Sequence, residues 1–145
     1  MLRKLTLDDG GVVRSYLDAM AALEAPLAQA DDPRFAVMRE ALAPAVAALR
    51  EATEWLITCD DPNDRLAGAS PYLDMFGIVA GGGYLIRMAR AAAAEERDPW
   101  IDAKIDTAAF YAHQILPRAA GWLSSSTAGA SELFAIPVDG LEAAK

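Results

Sequence analysis

Asp-Pro occurs three times in this sequence, as Asp32-Pro33, Asp61-Pro62 and Asp98-Pro99, each between two stretches of helix-period apolar residues. An aspartate ahead of a helix accepts hydrogen bonds from the free N–H groups of its first turn. Proline suits the first helical position, where its missing N–H leaves nothing unpaired, but inside a helix it breaks the hydrogen-bond ladder. Each pair therefore ends one helix and starts the next within a few residues. The three pairs cut the 145 residues into four helical segments with short connections. That pattern predicts an all-α fold, an antiparallel up-down four-helix bundle with kinked helices, in a single domain. No segment shows the two-residue alternation of a strand.

The first segment spans 12–30. Val13, Tyr16, Met20, Leu23 and Leu27 share one face, and Asp8-Asp9-Gly10-Gly11 is the expected start. Pro26 should loosen it, since it has no N–H for the Ala22 carbonyl. The second segment, 33–59, carries an unbroken three-four alternation of Phe35, Met38, Leu42, Ala45, Leu49, Ala52, Leu56 and Cys59, with Trp55 on its flank and a kink expected at Pro44. The third spans 63–96, with Pro71 the expected place for a break. The fourth spans 99–124, along a seam of Ile101, Ile105, Ala108, Ala112, Ile115, Ala119 and Trp122 that Pro117 interrupts. The tail, 125–145, holds an apolar piece, Leu133-Phe134-Ala135-Ile136, suited to docking on a surface.

The segment Gly68 to Arg90 is the most apolar and the least consistent with a helix, because it holds Gly77 and the triplet Gly81-Gly82-Gly83. Each glycine costs a helix about 1 kcal/mol relative to alanine, so the four cost roughly 4 kcal/mol. Close approach of another element is the expected compensation. The alanine seam of the fourth segment (Ala108, Ala112, Ala119) is the expected partner of Gly77 and Gly81. Gly82 and Gly83 point elsewhere, toward the second segment or a partner protein. A phosphate-cradling loop would need GxGxxG or GxxxxGK, and neither is present. The run is shorter than the ~20 residues of a membrane span and contains Asp74 and Pro71.

Composition narrows the function. The net charge of −8 argues against nucleic-acid binding, which needs a basic stripe. A single cysteine, Cys59, excludes an internal disulfide and makes a cytoplasmic setting the default. With one histidine and one cysteine, no zinc site of those ligands is expected. His113 lacks a glutamate three residues earlier, where Phe110 stands, so the Glu-x-x-His pair of di-iron bundles is missing. Glu51 and Glu54 are one turn apart, the spacing of an acid/base pair, yet a solvated face beside Arg50 is the commoner reason for it. Asp74, Arg87 and Arg90 lie in or beside the apolar run and need a partner, internal or external. No catalytic, cofactor-binding or metal residue is assigned.

Several pieces resemble one family. They are Gly68-Ala-Ser-Pro-Tyr-Leu73, Phe76-Gly77, Gly81-Gly82 and Arg87-Met-Ala89, then Ala103-Lys104-Ile105, Thr107-Ala108, Phe110-Tyr111-Ala112 and Leu116-Pro117. Their order and separation resemble the signature of the extra C-terminal helical domain in the large-subunit class of acyl-CoA dehydrogenases, over about 23–136. One departure is Ala109, where that signature has an arginine. The resemblance implies an appendage on a flavoenzyme that oxidises the Cα–Cβ bond of an acyl-CoA thioester, with a carboxylate base and FAD. The base and main flavin contacts of that family lie upstream, so the chain is expected to be a C-terminal piece, inactive alone, with FAD belonging to the parent enzyme. Its expected partners are the upstream dehydrogenase body and further copies of itself. Candidate packing or interface residues are Tyr72, Phe76, Gly77, Gly81, Gly82, Gly83, Arg87, Phe110 and Tyr111. A free-standing bundle that self-associates or binds a protein is the alternative.

If the second-segment seam is core, Leu49→Ala should cost about 2–5 kcal/mol in denaturant unfolding. A loss below about 0.5 kcal/mol would refute the seam.

Overall fold

Asp32, Asp61 and Asp98 each cap a helix, and each capped helix has proline at its first position. The Asp32 carboxylate accepts from the Arg34 N–H at 3.0 Å, and Asp61 accepts from Asn63 and Asp64 at 2.7 and 3.3 Å. Asp98 accepts from Ile101 at 2.8 Å. In this computed structural model, which describes residues 2–138 and 140, these caps open α4 (Pro33–Thr58), α5 (Pro62–Ala67) and α7 (Pro99–Gln114). The remaining elements are α1 (Leu2–Leu5), a 3-10 turn (Leu7–Gly10), α2 (Gly11–Ala21), α3 (Glu24–Ala28), α6 (Ala69–Ala93), α8 (Arg118–Gly121) and α9 (Leu123–Thr127). The described residues contain no strand, and the fold is all-helical.

The internal prolines explain where the elements divide. Pro26 cannot bond to the Ala22 carbonyl, and the first segment parts there into α2 and α3. Pro71 separates α5 from α6 at Gly68 in the same way. α4, in contrast, continues through Pro44. Ahead of Pro117 the ladder widens: the Leu116 N–H bonds to the Tyr111 carbonyl, five residues back, at 2.9 Å. That extra residue shifts the phase of the seam. Leu116 is fully buried where Ile115 was expected, and Trp122 ends up 38 % exposed. The start of α2 also differs from expectation. Asp8 and Asp9 have φ of 52° and 50°, Gly10 is the N-cap, and no side chain caps the helix. The Asp9 carbonyl instead receives the Arg14 guanidinium at 2.6 Å.

The long helices α4, α6 and α7 all pack on one another, while α2 and α3 lie against α4. The α4 seam is buried from Phe35 to Leu56. Cys59 falls outside it, because α4 ends at Thr58 before the Asp60-Asp61-Pro62 turn; its thiol sits 3.6 Å from the Asp61 carbonyl. The short α8 and α9 close over α4 and α6. Asp64 receives the Ala130 N–H at 2.7 Å and so holds the end of the helical region against α5.

The start of α4 is tied to α7 by Arg34. Its guanidinium bonds Asp32 at 2.6 Å, Asp102 at 3.0 Å and Asp106 at 2.7 Å, and Arg97 adds contacts to Asp32 and Asp102. Hydrogen bonds from Arg34 hold the Asp32 carboxyl at about 2, below its ordinary 3.8, against the opposing effect of burial. The folded state therefore binds the proton less readily than the unfolded one. Asp32 contributes fully above pH about 4 and its contribution disappears as pH falls through about 2, a loss of at most about 2 kcal/mol. Asp32→Asn keeps a capping side chain but should flatten this acid limb, measured as urea stability against pH. An unchanged limb would place the acid sensitivity elsewhere.

Candidate interface

Helix α6 is apolar on two faces. Its inner seam runs Tyr72, Met75, Val79, Gly82, Ile86 and Ala89, all buried. The outer seam follows the same four-three spacing through Leu73, Gly77, Ala80, Tyr84 and Arg87. On that outer seam Leu73 and Tyr84 are 54 % and 62 % exposed. Large apolar side chains left in solvent mark a contact surface, so Leu73 and Tyr84 are the part of α6 that this fold does not satisfy by itself.

Tyr72 belongs wholly to the core. Its hydroxyl lies 2.8 Å from Thr53 Oγ1, whose own hydrogen is given to the Leu49 carbonyl at 2.6 Å. Tyr72 is therefore the donor, and burial raises its pKa. Gly82 and Gly83 are also internal. A Cβ on Gly82 would stand 2.9 Å from a Leu116 methyl, and one on Gly83 would strike the Met20 sulfur. A Cβ on Gly81 would meet the Tyr111 hydroxyl at 2.7 Å. That hydroxyl donates to the Ile78 carbonyl at 3.0 Å, pinning α7 to α6, and burial raises its pKa.

These contacts correct the expected partners. Tyr111 and Leu116, larger than the alanines of the seam, come closest to Gly81 and Gly82. The neighbour of Gly83 is Met20 of α2, and neither α4 nor an external protein is required. Gly77 has nothing within 4 Å, so the alanine seam does not cover it. The closest backbone approach is at Gly68, the residue between α5 and α6, where a Cβ would collide with the Ser126 carbonyl.

Phe76 is half-buried and stacks on Tyr16, ring centroids 5.3 Å apart. Arg87 sits 5.7 Å from the Tyr84 ring centroid and forms no ion pair among the described residues. Phe110 is 62 % exposed, and Asp74 and Arg90 are exposed. Of the nine candidates, then, Gly77 and Phe110 face outward, Phe76, Gly81, Arg87 and Tyr111 sit at the boundary, and Tyr72, Gly82 and Gly83 lie inside. Sequence reasoning missed Leu73 and Tyr84. The signal was present, since they continue the four-three spacing through Gly77. Beside Leu73 opens an apolar groove of about 500 Å³ between α1, α2 and α6, lined by Lys4, Leu5, Val12, Tyr16, Leu73 and Phe76.

Among the described residues the other polar groups named in the sequence are engaged locally. Glu54 is held by the Arg14 guanidinium at 2.7 and 2.6 Å, which lowers its pKa, so it does not pair with Glu51. His113 is exposed and bonds its neighbour Gln114 at 2.7 Å. Among the described residues no three of His, Cys, Asp and Glu are placed to hold a metal ion, and no helix is long and apolar enough to cross a membrane. Gly81 to Gly83 lie within the unbroken α6, packed against Tyr111, Leu116 and Met20, which leaves no cradle for a pyrophosphate.

A family model described as acetyl-CoA dehydrogenase C-terminal like matches residues 16–137, from α2 through the apolar piece after α9. No curated protein and no solved structure matches the chain.

The glycines separate into opposite classes. Gly77→Ala should raise stability by about 0.5–1 kcal/mol, because the helix gains alanine and the Cβ meets nothing. Gly68→Ala should cost roughly 1–3 kcal/mol, because the Ser126 backbone must move. Chemical denaturation measures both; equal effects at the two sites would overturn the division.

Proposed function

The chain belongs to the acetyl-CoA dehydrogenase C-terminal-like family, and on that premise we propose that it is the non-catalytic helical appendage of an FAD-dependent acyl-CoA dehydrogenase. Its role is to pack against the dehydrogenase body or its dimer. The parent reaction is removal of the α-proton of an acyl-CoA by a carboxylate, with hydride passing from the β-carbon to FAD. Both reactive groups belong to the body, which the resemblance puts upstream. The observation that carries the packing role is the outer seam of α6, with Leu73 and Tyr84 more than half exposed along a regular helical spacing. Exposed aromatic and aliphatic side chains beside an arginine that lacks an ion pair have the composition of a protein-binding surface.

The antiparallel up-down arrangement of the four segments is part of this proposal. It is supported by the short connections after α4 and α6 and by Arg34, which brings the starts of α4 and α7 to one end. A cytoplasmic setting fits the single cysteine.

The test uses an FAD-containing dehydrogenase body of the large-subunit class that lacks its own C-terminal helical domain. The chain should bind it, and Tyr84→Asp should weaken binding at least about tenfold without loss of helicity, since the position is exposed. Absence of binding would overturn the appendage role. Bound flavin or acyl-CoA oxidation by the chain alone would overturn the non-catalytic assignment.

A further inference from the structure

Besides the outer seam of α6, two apolar surfaces remain open in this fold, and they match. One is the segment after Ala130. Its root is fixed by the bond from the Ala130 N–H to Asp64, and the Leu133 and Phe134 N–H groups both turn back to the Ala130 carbonyl at 3.0 and 3.3 Å. Beyond that root Leu133, Phe134, Ile136 and Val138 are 69, 69, 64 and 73 % exposed. Four large apolar side chains within six residues lie outside the core cluster. The other surface is the groove of about 500 Å³ between α1, α2 and α6. Among the described residues Lys4 is the one charged side chain of its lining, and Glu132 is the one charged side chain of residues 131–138. The two charges are opposite in sign.

We propose that two copies of this chain exchange these segments, each seating Phe134 and its apolar neighbours in the groove of the other, with Glu132 facing Lys4. The turns rooted at Asp64 leave the four side chains in solvent while the groove of the same copy stays open, so a second copy supplies each with its cover. An exchange of this kind is two-fold symmetric, and the contact closes at the dimer. Four apolar side chains from each copy, with the groove walls they cover, bury on the order of 1,000 Å², the area at which specific interfaces begin. The exchange takes Leu73 from the outer seam, leaves Gly77, Ala80 and Tyr84 for the dehydrogenase body, and does not depend on that body.

Sedimentation of the chain alone tests it. The unaltered chain should be a dimer at micromolar concentration, and Phe134→Asp and Leu73→Glu should each shift it to monomer, with circular dichroism unchanged because both positions are exposed. An equimolar mixture of the two variants should form more dimer than either variant alone, because one intact segment still meets one intact groove, though half of the contact is lost. The exchange is overturned by a monomer throughout, or by a dimer that either substitution leaves intact. A monomer whose segment amides resist hydrogen exchange would put the segment on its own groove; one with unprotected amides would leave both surfaces to another protein. Either result also overturns the exchange.

Discussion

The fold depends on how closely side chains approach the backbone of α6. Tyr111 and Leu116 reach it at Gly81 and Gly82, and Met20 reaches it at Gly83. A Cβ at any of these three positions would have to displace the end of the Tyr111, Leu116 or Met20 side chain. The helix-propensity cost of glycine, about 1 kcal/mol each, is set against burial of Leu116 and Met20 and against the Tyr111–Ile78 hydrogen bond. Burying a leucine or methionine side chain is worth about 1.5–3 kcal/mol, so the balance favours glycine wherever it admits one. The same balance does not hold at Gly77, which admits nothing inside this chain.

That exception links packing to function. The inner and outer seams of α6 run side by side, offset by one or two residues, from Tyr72 and Leu73 onward. The inner one is satisfied by α4 and α7, as Thr53 and Tyr111 show through their bonds to Tyr72 and Ile78. The outer one has Gly77 and Ala80, small enough for a neighbouring backbone to approach, between the larger Leu73 and Tyr84. On the proposed reading this is where the dehydrogenase body lies.

Sequence reasoning was most reliable where a local rule had no competitor. Capping by Asp32, Asp61 and Asp98 depends only on the adjacent first turn, and the α4 seam from Phe35 to Leu56 is a plain periodicity. It failed where the helix phase changed. The wide turn at Tyr111–Leu116 moved burial from Ile115 to Leu116, and the end of α4 at Thr58 took Cys59 off its seam. For the candidate interface, residue type alone could not separate inward from outward positions. Tyr72 and Leu73 are adjacent and both apolar, yet one is fully buried and the other more than half exposed. Only the register of α6 against α4 and α7 distinguishes them.

The distribution of charge completes the case for an apolar interface. Arg14, Arg34, Arg50 and Arg97 are engaged with carboxylates of the same chain, where they fasten α2 to α4 and the start of α4 to α7. The net charge of −8 repels acidic surfaces. Ala109 stands where the family signature has an arginine, and it is half-buried against the core, so that position offers no ion pair outward. What remains at the outer seam is shape, apolar area and the Arg87–Tyr84 pair. On the proposed reading, recognition by this chain therefore rests on side-chain fit along α6, and salt should weaken it less than it weakens a contact built on exposed ion pairs.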